Sequence, residues 1–337
     1  MLAVKLLGNE KVETVDVPMP EEQEGWVILR VKASCICGSD LHAFHSQYGS
    51  KVIPGHEVAG EVVSVGEGVK RVRPGDRVAV YNMVSCGWCK YCRSGDWIFC
   101  NELKIIGGHI DGGDAEYVAV PERNCFLLPP ELSYEEGALI GDVVGTPYRA
   151  IKRTGINGTH TVLLCGLGPV GLGALLILKE LHARVICVEK HPYRCELGRK
   201  LGADVVINPD KDSPEEVVKE VTDGEGVDVA IDCAGKEVTE NYALDLVKKG
   251  GKVAFVGENP SARIKPSDQL IRKELTIIGS WYFNASEYEE LLNLLKRKLE
   301  VDKVVTHRFG LTDAQEAFSK FASGETGKVI FIPELSR

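Results

Sequence analysis

The sequence predicts an α/β protein built from two domains, and three observations lead to that expectation. The chain has 337 residues, more than the roughly 100 to 200 residues of one ordinary domain. About the first 130 residues form short, β-branched segments separated by Gly and Pro. From about residue 145 onward, apolar segments alternate with segments of helical spacing, a rhythm typical of a parallel sheet covered by helices.

The first half is expected to form a compact, barrel-like β domain. Three segments are rich in β-branched residues and are bounded by turn formers, namely residues 26–33, 58–65 and 77–80. Turn sequences such as "RPGD" separate the predicted strands.

The second half is expected to form a parallel sheet covered on both faces. Its predicted strands are residues 161–166, 184–189, 204–208, 227–235 and 251–257. Helical spacing predicts helices that include residues 196–201 and 237–249. A helix at 287–298 and a closing strand at 328–333 follow, and these need not belong to the second domain.

Composition and charge exclude several classes of function. The formal net charge is -9, whereas a nucleic-acid-binding surface needs clustered Lys and Arg to neutralise phosphates, so no nucleic-acid partner is expected. The longest apolar runs are interrupted by a Gly-rich turn and by charged residues, so no membrane span is predicted. The first residues lack the pattern of a secretory signal. A cytoplasmic protein with reduced thiols is therefore expected.

A glycine-rich motif predicts a dinucleotide site. "GLGPVG" supplies G-x-G-x-x-G at Gly166, Gly168 and Gly171, directly after a predicted strand and at the start of a predicted helix. These glycines allow a tight turn, a close approach of backbone to a pyrophosphate and close packing of helix on strand, while the helix N-terminus faces the phosphate charge. Glu189 ends the next strand, 23 residues after Gly166, where a carboxylate accepts hydrogen bonds from the adenosine ribose. We therefore expect a Rossmann domain.

The residues at Glu189 also predict which nicotinamide cofactor binds. A carboxylate repels the 2'-phosphate of NADP, which favours NAD. Lys190, His191 and Arg194 follow closely, and an arginine in this region can receive a phosphate. NAD is the predicted cofactor, with NADP as the alternative.

Four of the eleven cysteines lie in "CGWCKYCRSGDWIFC" at residues 86–100, with the spacing C-x2-C-x2-C-x7-C. Thiols this dense indicate disulfides, a redox pair, an iron–sulfur cluster or a metal site. Reduced thiols in the cytoplasm argue against disulfides, and a redox pair would account for only two of the four.

Three shorter motifs offer a second set of metal ligands. They are "CGSDLH" at residues 37–42, "PGHE" at 54–57 and "ALIGDVVGTPYRA" at 138–150. Any one of them could be ordinary core or loop. Together they supply a thiolate, an imidazole and a carboxylate, which is the ligand set of a catalytic zinc with an open fourth position.

With these motifs the sequence resembles the zinc-dependent medium-chain alcohol and polyol dehydrogenase family, which includes sorbitol, threonine and secondary-alcohol dehydrogenases. "CGSDLH", "GHE", the four-cysteine lobe, "GLGPVG" and the terminal "GKVIF" occur in the family's order and at close to its spacing, over essentially the whole chain. The resemblance implies a GroES-like β-barrel catalytic domain, residues 1–145 with 283–337, that includes the structural-zinc lobe at 86–100. It implies a Rossmann NAD-binding domain at residues 146–282.

The resemblance implies two zinc ions in each subunit. The catalytic zinc would be bound by Cys37, His56 and Asp142, with Glu57 as an alternate ligand. Many relatives have cysteine at the position of Asp142, and the sorbitol dehydrogenase branch has glutamate one residue earlier, where this chain has Gly141. A structural zinc would fold a loop that has little core of its own. Its ligands would be Cys86, Cys89, Cys92 and Cys100.

The resemblance also implies residues that move the substrate's proton. Zinc would polarise the substrate hydroxyl, and Ser39 would take its proton and pass it through the nicotinamide ribose to His42, whose imidazole suits a shuttle near neutral pH. Asp40 would accept a hydrogen bond from His56, and Lys328 would pair near Asp40. The remaining cofactor positions lie in neighbouring loops: Leu167, Pro169, Val170, Thr146, residues 233–235, Val256 and Gly257.

A small-molecule alcohol is the expected substrate. Asn82 occupies a position that is aromatic in simple ethanol-type dehydrogenases, and this favours a secondary hydroxyl of a polyol, sugar or cyclitol as the hydride donor to NAD. The alternative is threonine or a simple secondary alcohol such as butanediol; the alternative of a different class is a homologue that binds nucleotide and zinc without alcohol chemistry. A homotetramer is expected, with a homodimer as the alternative. Other candidates for the substrate wall are Tyr81, Phe44, His45, Trp88, Trp281 and Tyr282.

Overall fold

The computed structural model describes residues 1–297 and 299–336. By its internal contacts the chain divides into two compact units. The first contains Met1–Asp142 and the segment from Asn284 onward, and the second is Val143–Phe283. Within the described ranges, no helix has the length and apolar character needed to cross a membrane.

Strands and helices are numbered in chain order. The strands are β1 (Leu2–Gly8), β2 (Lys11–Asp16), β3 (Trp26–Ile36), β4 (Glu57–Val65), β5 (Arg77–Val80), β6 (Met83–Val84), β7 (Lys104–Ile105), β8 (Tyr117–Pro121), β9 (Cys125–Leu127), β10 (Thr161–Cys165), β11 (Arg184–Val188), β12 (Val205–Ile207), β13 (Val227–Asp232), β14 (Val247–Phe255), β15 (Thr276–Gly279), β16 (Val305–Phe309) and β17 (Lys328–Phe331). The α-helices are α1 (Asp40–His45), α2 (Lys90–Arg93), α3 (Tyr134–Leu139), α4 (Gly145–Thr154), α5 (Pro169–Glu180), α6 (Pro192–Lys200), α7 (Pro214–Val221), α8 (Glu237–Leu246), α9 (Tyr288–Lys296) and α10 (Ala314–Ala322). Short π-helical turns lie at Ile140–Val144 and Pro266–Ile271.

A mixed sheet dominates the first unit, in the order β16-β17-β3-β4-β5-β9, and β8 also pairs with β3. β3 and β4 run antiparallel with Cys35 opposite Glu57, while β17 pairs with the end of β3, where Val329 lies opposite Ile36. The end of β3 and the starts of β17 and β4, which are distant in sequence, therefore lie side by side in this sheet. Its core is rich in valine, a residue that packs well on a pleated surface: Val27, Val31, Val58, Val62, Val78, Val80, Val118 and Val120.

The second unit is built on a parallel sheet in the order β12-β11-β10-β13-β14-β15. β10 lies inside this sheet, where Cys165 pairs with Val188 of β11 and with Asp232 of β13. β11 and β12 lie on one side of β10, and the chain then crosses over to form β13 on the other side. Doubly wound sheets bind ligands beyond the carboxyl ends of the strands at such a reversal.

The helix predicted at residues 237–249 is shorter in the structure. α8 ends at Leu246, and Val247 begins β14 by pairing with Val227. Local helical spacing therefore continues for three residues into a segment whose partner is a neighbouring strand, and the strand pairing prevails.

Two other predicted helices differ at their ends. The helix predicted at 196–201 begins earlier, at Pro192, where the fixed φ and missing N–H of proline suit the first helical turn. Of the helix predicted at 287–298, the structure shows α9 ending at Lys296, and residue 298 lies outside the described residues.

Candidate functional site

Four side chains from three parts of the sequence converge in the first unit. Cys37, His56, Glu57 and Asp142 each offer one ligand atom, and these atoms lie within 4.8 Å of one another. All four residues are buried. The structure thus brings together the predicted thiol, imidazole and carboxylate, with the predicted alternate carboxylate beside them.

The sheet register explains why these residues meet. Cys37 directly follows β3, His56 precedes β4, and Glu57 is its first residue. Because β3 and β4 are antiparallel neighbours, the end of one lies beside the start of the other. Asp142 comes from the π-helical turn Ile140–Val144, a type of turn that is frequent at functional sites. Its Oδ2 lies 3.1 Å from the Sγ of Cys37.

The turn that precedes His56 requires glycine. Gly55 has a φ of +94°, in the left-handed region. A Cβ on Gly55 would lie 2.4 Å from Oδ1 of Asp114. Gly107 packs against the same turn, since a Cβ on it would lie 3.0 Å from the backbone N of His56. The backbone that presents the imidazole is therefore held closely on both sides.

Asp40, the first residue of α1, contacts two members of the cluster. Its Oδ2 accepts a hydrogen bond from the backbone N–H of Cys37 at 2.8 Å, and its Oδ1 lies 3.6 Å from Nδ1 of His56. The second distance is within ion-pair range but longer than an ordinary hydrogen bond. Asp40 therefore faces the imidazole, as the sequence predicts, while its close hydrogen bond goes to the Cys37 backbone.

Lys328 has a different partner from the one expected. The sequence places it near Asp40, but its ammonium donates a hydrogen bond to Oε1 of Glu57, and both side chains are fully buried. The register is the reason: Lys328 begins β17, which pairs with the end of β3, and the end of β3 pairs with the start of β4 at Glu57. Lys328 is thus the cationic neighbour of Glu57, the predicted alternate ligand.

The cluster carries more acidic groups than its single lysine balances. Burial raises the pKa of the Cys37 thiol, and the negative charge of Asp142 raises it further. Burial also raises the pKa of Glu57, while Lys328 opposes that shift. A cation would favour the ionised forms of these groups. Zinc takes thiolate, imidazole and carboxylate ligands, so this donor set fits that metal.

Ser39 and His42 lie on one turn at the start of α1. Ser39 is the N-cap residue, and its carbonyl oxygen accepts a hydrogen bond from the backbone N–H of His42 at 3.1 Å. Both residues are exposed, whereas Asp40 between them is buried with the cluster. This turn therefore runs from the cluster to the surface, as a proton path to solvent requires.

The four cysteines of the lobe form a second cluster. Ligand atoms of Cys86, Cys89, Cys92 and Cys100 lie within 4.8 Å of one another. The Sγ atom of Cys92 is 3.9 Å from that of Cys86 and 3.5 Å from that of Cys89. Zinc–sulfur bonds of about 2.3 Å in a tetrahedron place sulfurs about 3.8 Å apart, so the spacing fits a four-thiolate zinc site and not a disulfide.

Backbone N–H groups point at these sulfurs. Cys86 donates to the Sγ of Cys100 at 3.2 Å, and Gly87 donates to the Sγ of Cys92 at 3.4 Å. A backbone hydrogen bond from Cys92 is the main reason that the pKa of Cys89 falls to about 6, whereas burial raises the pKa of Cys100 to about 11. The lobe is therefore arranged to stabilise sulfur in its thiolate form at least at Cys89.

In the second unit the glycine-rich loop joins β10 to α5. Gly166 has a φ of +90° and closes the turn, and a Cβ on Gly171 would lie 1.9 Å from the carbonyl oxygen of Gly166. Pro169 is the first residue of α5, and Val170 follows it. The helix therefore starts close against the strand, with its N-terminus at the carboxyl edge of the sheet.

Glu189 lies at that same edge and binds the loop directly. Its Oε2 accepts a hydrogen bond from the backbone N–H of Leu167 at 2.7 Å, and its Oε1 accepts one from His191 at 2.8 Å. Arg194 is close to the loop, because a Cβ on Gly168 would lie 3.9 Å from its Nη1. Burial lowers the pKa of Arg194, which Glu189 opposes. The acidic and basic groups that the sequence predicts to select the cofactor therefore border one loop.

The other predicted cofactor positions lie in the same unit. The backbone N–H groups of Val256 and Gly257 donate to the carbonyl oxygen of Asp232 at 2.9 and 3.0 Å. A Cβ on Gly257 would lie 2.2 Å from the backbone N of Gly235, so the loops after β13 and β14 touch. Thr146 is buried in the first turn of α4. Lys190 is exposed next to Glu189.

The predicted wall residues have varied surroundings. Phe44 lies in the apolar core, where it stacks on Phe318 at 5.8 Å. His45 is exposed and pairs with Glu10 at 3.1 Å. Asn82 is fully buried, two residues after the end of β5. Of the aromatic candidates, Trp88 and Trp281 are exposed, whereas Tyr81, the residue before Asn82, is buried.

Asp114 is a buried neighbour of the first cluster that no sequence motif indicated. Its Oδ1 accepts a hydrogen bond from the hydroxyl of Ser34 at 2.6 Å. Burial, followed by the negative charge of Asp40, raises the pKa of Asp114 to about 8. The only available signal was a charged residue in "GGDAEYVAV", at the entrance to an otherwise apolar strand.

Both halves of the chain match known protein families. Residues 23–130 match the alcohol dehydrogenase GroES-like domain, and residues 169–297 match the zinc-binding dehydrogenase family. An uncharacterized zinc-type alcohol dehydrogenase-like protein from Escherichia coli (strain K12) is 37% identical over 98% of each chain. A D-arabitol-phosphate dehydrogenase from Enterococcus avium is 34% identical over 96% of this chain and 94% of its own.

A solved structure is similar over nearly the whole chain. The 2R,3R-butanediol dehydrogenase from Bacillus subtilis has a TM-score of 0.87 and 30% identity, with 98% of this chain and 99% of that chain covered. Together with the family matches, this similarity confirms the predicted fold class, a GroES-like domain combined with a Rossmann parallel sheet.

Proposed function

The chain belongs to the zinc-dependent medium-chain dehydrogenase family, and from this premise we propose that it oxidises a secondary hydroxyl of a polyol, sugar or cyclitol with NAD. Members of the family are oxidoreductases that act on CH–OH donors with a nicotinamide cofactor. The observation that carries the proposal is the buried meeting of Cys37, His56, Glu57 and Asp142 within 4.8 Å. Burial of a thiol, an imidazole and two carboxyls together is unfavourable, and a bound metal cation in addition to Lys328 would offset that cost.

Cys37, His56 and Asp142 would hold the catalytic zinc, with Glu57 as the alternate ligand. When bound, zinc acts as a Lewis acid on the substrate oxygen and makes its hydroxyl more acidic. Three protein ligands leave a fourth position open. Asp40 would keep the imidazole oriented through its contact with Nδ1 of His56.

The exposed turn at the start of α1 would carry the proton away. Ser39 is the hydroxyl nearest in sequence to the ligand Cys37, and His42 follows one helical turn later. We propose that Ser39 accepts the substrate's proton and that His42 delivers it to solvent, which its exposure supports.

NAD is the proposed form of the nicotinamide cofactor. The carboxylate of Glu189 borders the glycine-rich loop through its hydrogen bond to Leu167 and would bind the ribose hydroxyls and repel a 2'-phosphate. Arg194 and Lys190 are basic residues that would instead favour binding of the 2'-phosphate of NADP.

The four thiols of the cysteine lobe would hold a second, structural zinc. A homotetramer stays a prediction.

Polyols are favoured over simple alcohols by two facts. The relative from Enterococcus avium is named for a phosphorylated polyol, and Asn82 places a polar side chain where an apolar wall would suit a simple alcohol. The similar structure from Bacillus subtilis is named for butanediol, so a small secondary alcohol with two hydroxyls is the second candidate.

Steady-state oxidation tests the proposal. Zinc-loaded protein is assayed for reduction of NAD and of NADP with polyols, polyol phosphates, cyclitols, amino alcohols and simple secondary alcohols. We expect turnover with a polyol or its phosphate. Cys37→Ser should lose one zinc ion for each chain and at least about a hundredfold in kcat/KM, since loss of even an outer partner of a metal site costs 10–100-fold.

A matched variant controls for the loss of a buried thiol. Cys125 is buried on β9, outside both clusters, so Cys125→Ser should keep both zinc ions and the activity. A zinc-loaded wild type that oxidises nothing on the panel contradicts the proposal. So does a Cys37→Ser protein that retains its zinc content and its rate.

A further inference from the structure

Asp232 is a fully buried carboxyl at the carboxyl edge of the parallel sheet, where it is the last residue of β13. It pairs with Cys165 of β10 on one side and with Phe255 of β14 on the other. The predicted cofactor positions of this loop, residues 233–235, begin directly after it. A buried carboxyl needs hydrogen-bond partners, and the partners of Asp232 lie in that loop.

The carboxyl of Asp232 holds the turn that follows the strand. Its Oδ2 accepts a hydrogen bond from the backbone N–H of Gly235 at 2.9 Å, and its Oδ1 accepts a longer one from that of Ala234 at 3.4 Å. Gly235 has a φ of +59°, in the left-handed region. The two N–H groups favour the ionised form of the carboxyl, so the turn and the charge stabilise each other.

This turn packs against the loops on both sides of it. A Cβ on Gly166 would lie 2.8 Å from the Cβ of Ala234, so the turn touches the glycine-rich loop. A Cβ on Gly257 would lie 2.2 Å from the backbone N of Gly235, and the backbone N–H of Gly257 donates to the carbonyl oxygen of Asp232 at 3.0 Å. Asp232 therefore fixes a turn wedged between two loops at the edge where doubly wound sheets bind their ligands.

The charge of Asp232 changes in mildly acidic solution. Burial raises its pKa to about 6, while the Thr239 side chain and the backbone N–H groups oppose that shift. Two titratable groups face it: Glu240 of α8, whose negative charge raises its pKa further, and Cys165 of β10. Burial holds the pKa of Cys165 well above its ordinary value, so that thiol is neutral in this range. Phe255, the neighbour on β14, carries no charge.

We propose that Asp232 is a positioning residue whose ionised carboxylate holds residues 233–235 in the conformation that binds the nicotinamide cofactor, and that its protonation weakens cofactor binding. This inference rests on the cofactor site of the proposed function and adds a pH dependence to it. Protonation converts one carboxyl oxygen from an acceptor into a donor, so the carboxyl no longer accepts fully from both N–H groups. Cofactor affinity is therefore highest while Asp232 is ionised and decreases as it is protonated.

Titration calorimetry of the zinc-loaded protein with NAD and NADH, without alcohol, tests this role at pH 8 and pH 5.5. In wild type the dissociation constant should rise at least about threefold between the two pH values, as linkage predicts for a group with a pKa of about 6 that binds cofactor in its ionised form. Asp232→Asn keeps the shape of the side chain but replaces one acceptor by a donor. It should bind the cofactor at least about fivefold more weakly at pH 8 and should lack this pH dependence.

Glu240→Gln changes the charge beside Asp232 without altering the turn. Its amide oxygen can still accept the hydrogen bond that Asn259 donates to Glu240. Loss of the negative charge should lower the pKa of Asp232, so the decrease in affinity should move to lower pH. A merely structural role of Asp232 predicts no such movement.

Asp228→Asn is the matched control. Asp228 lies on the same strand and also accepts a backbone hydrogen bond, from Thr161 at 2.7 Å, but at the amino end of the sheet. Its affinity at pH 8 and its pH dependence should equal those of wild type.

Two results overturn this inference and leave the proposed function intact. One is the same pH dependence of cofactor binding in wild type, Asp232→Asn and Glu240→Gln. The other is an Asp232→Asn protein that binds the cofactor as tightly as wild type at pH 8. If Asp232→Asn does not fold, the movement of the pH dependence in Glu240→Gln decides alone. A zinc-loaded wild type that binds neither NAD nor NADP overturns the proposed function and this inference with it.

Discussion

Lys328 and Glu57 form an ion pair in which both side chains are completely buried, next to Cys37 and Asp142. The pair connects β17, close to the end of the chain, with the first residue of β4. Burial lowers the pKa of Lys328, but the negative charges of Glu57 and Cys37 outweigh that effect and hold the pKa above its ordinary value. Lys328 therefore stays charged and supplies positive charge to an otherwise acidic cluster.

Lys328→Met is expected to lower the free energy of unfolding by about 3–5 kcal/mol, because it leaves the Glu57 carboxyl buried without its counter-ion. Urea unfolding of the zinc-loaded protein measures the loss. Lys32→Met is the control, since it removes an ion pair with Glu334, whose side chain is 64% exposed. That change should cost less than about 1 kcal/mol.

A second substitution separates the charge from the packing. Lys328→Met combined with Glu57→Leu removes both ions, and we expect it to recover most of the lost stability, as replacement of a whole buried pair often does. If Lys328→Met costs no more than Lys32→Met, the buried pair does not stabilise the fold in the way inferred here.

The sequence predicts the proposed zinc ligands of the Cys37 cluster, but it does not predict the ion pair beside them. Cys37, His56 and Asp142 could be identified because each lies in a short motif with a recognisable spacing. The partner of Lys328 could not, because 271 residues separate it from Glu57 and only the register of three strands decides which of two nearby carboxylates it meets. Local patterns contain no information on that register.

The same limit applies to helix ends and to single buried polar residues. Residues 247–249 have helical spacing but lie in β14, because Val247 pairs with Val227 on the neighbouring strand. Asp114 belongs to no motif, and its burial follows from the turn at Gly55 that packs on it. Fold class and ligand types follow from local sequence, whereas neighbours across the sheet do not.

Cys100→Ser is expected to release the proposed structural zinc, while the Cys37 cluster keeps its ligands. Metal binding contributes folding energy to a lobe with little core, so Tm should fall by at least about 5 °C, since about 1 kcal/mol corresponds to 2–4 °C in domains of about 150–250 residues. Zinc content should fall by one ion for each chain. Below the new Tm, kcat should stay within about threefold of wild type, in contrast to Cys37→Ser. A Cys100→Ser protein that keeps its zinc and its Tm contradicts the structural role.

Asp114 should make stability depend on pH. Burial raises its pKa to about 8 in the folded protein, above the value of about 3.9 in an unfolded chain. The folded state therefore holds this proton over a range in which the unfolded state has lost it, so stability should decrease as pH rises from about 4 to about 8. Below that range the penalty vanishes.

Asp114→Asn removes this group while it keeps an acceptor for the hydroxyl of Ser34. Relative to wild type, the variant should gain on the order of 1 kcal/mol or more in the free energy of unfolding between pH 5 and pH 8. Urea unfolding at both pH values measures the difference, and Asp111→Asn, at an exposed carboxylate in the same segment, is the control. An equal difference between variant and wild type at both pH values would show that Asp114 ionises normally.

Glu189→Gln tests the choice of cofactor. Glutamine keeps one oxygen that can accept the hydrogen bond from Leu167, while the negative charge and the acceptor for the backbone N–H of His191 are lost. Without that charge, binding of NAD should weaken and a 2'-phosphate should no longer be repelled. We expect the dissociation constant for NADP to fall at least about tenfold relative to that for NAD, measured by titration calorimetry.

Asp204→Asn is the matched control, because Asp204 also accepts a backbone hydrogen bond, from Val185 at 2.7 Å, but lies at the amino end of the strands. An unchanged ratio in Glu189→Gln would mean that Glu189 holds the loop and does not discriminate between the cofactors.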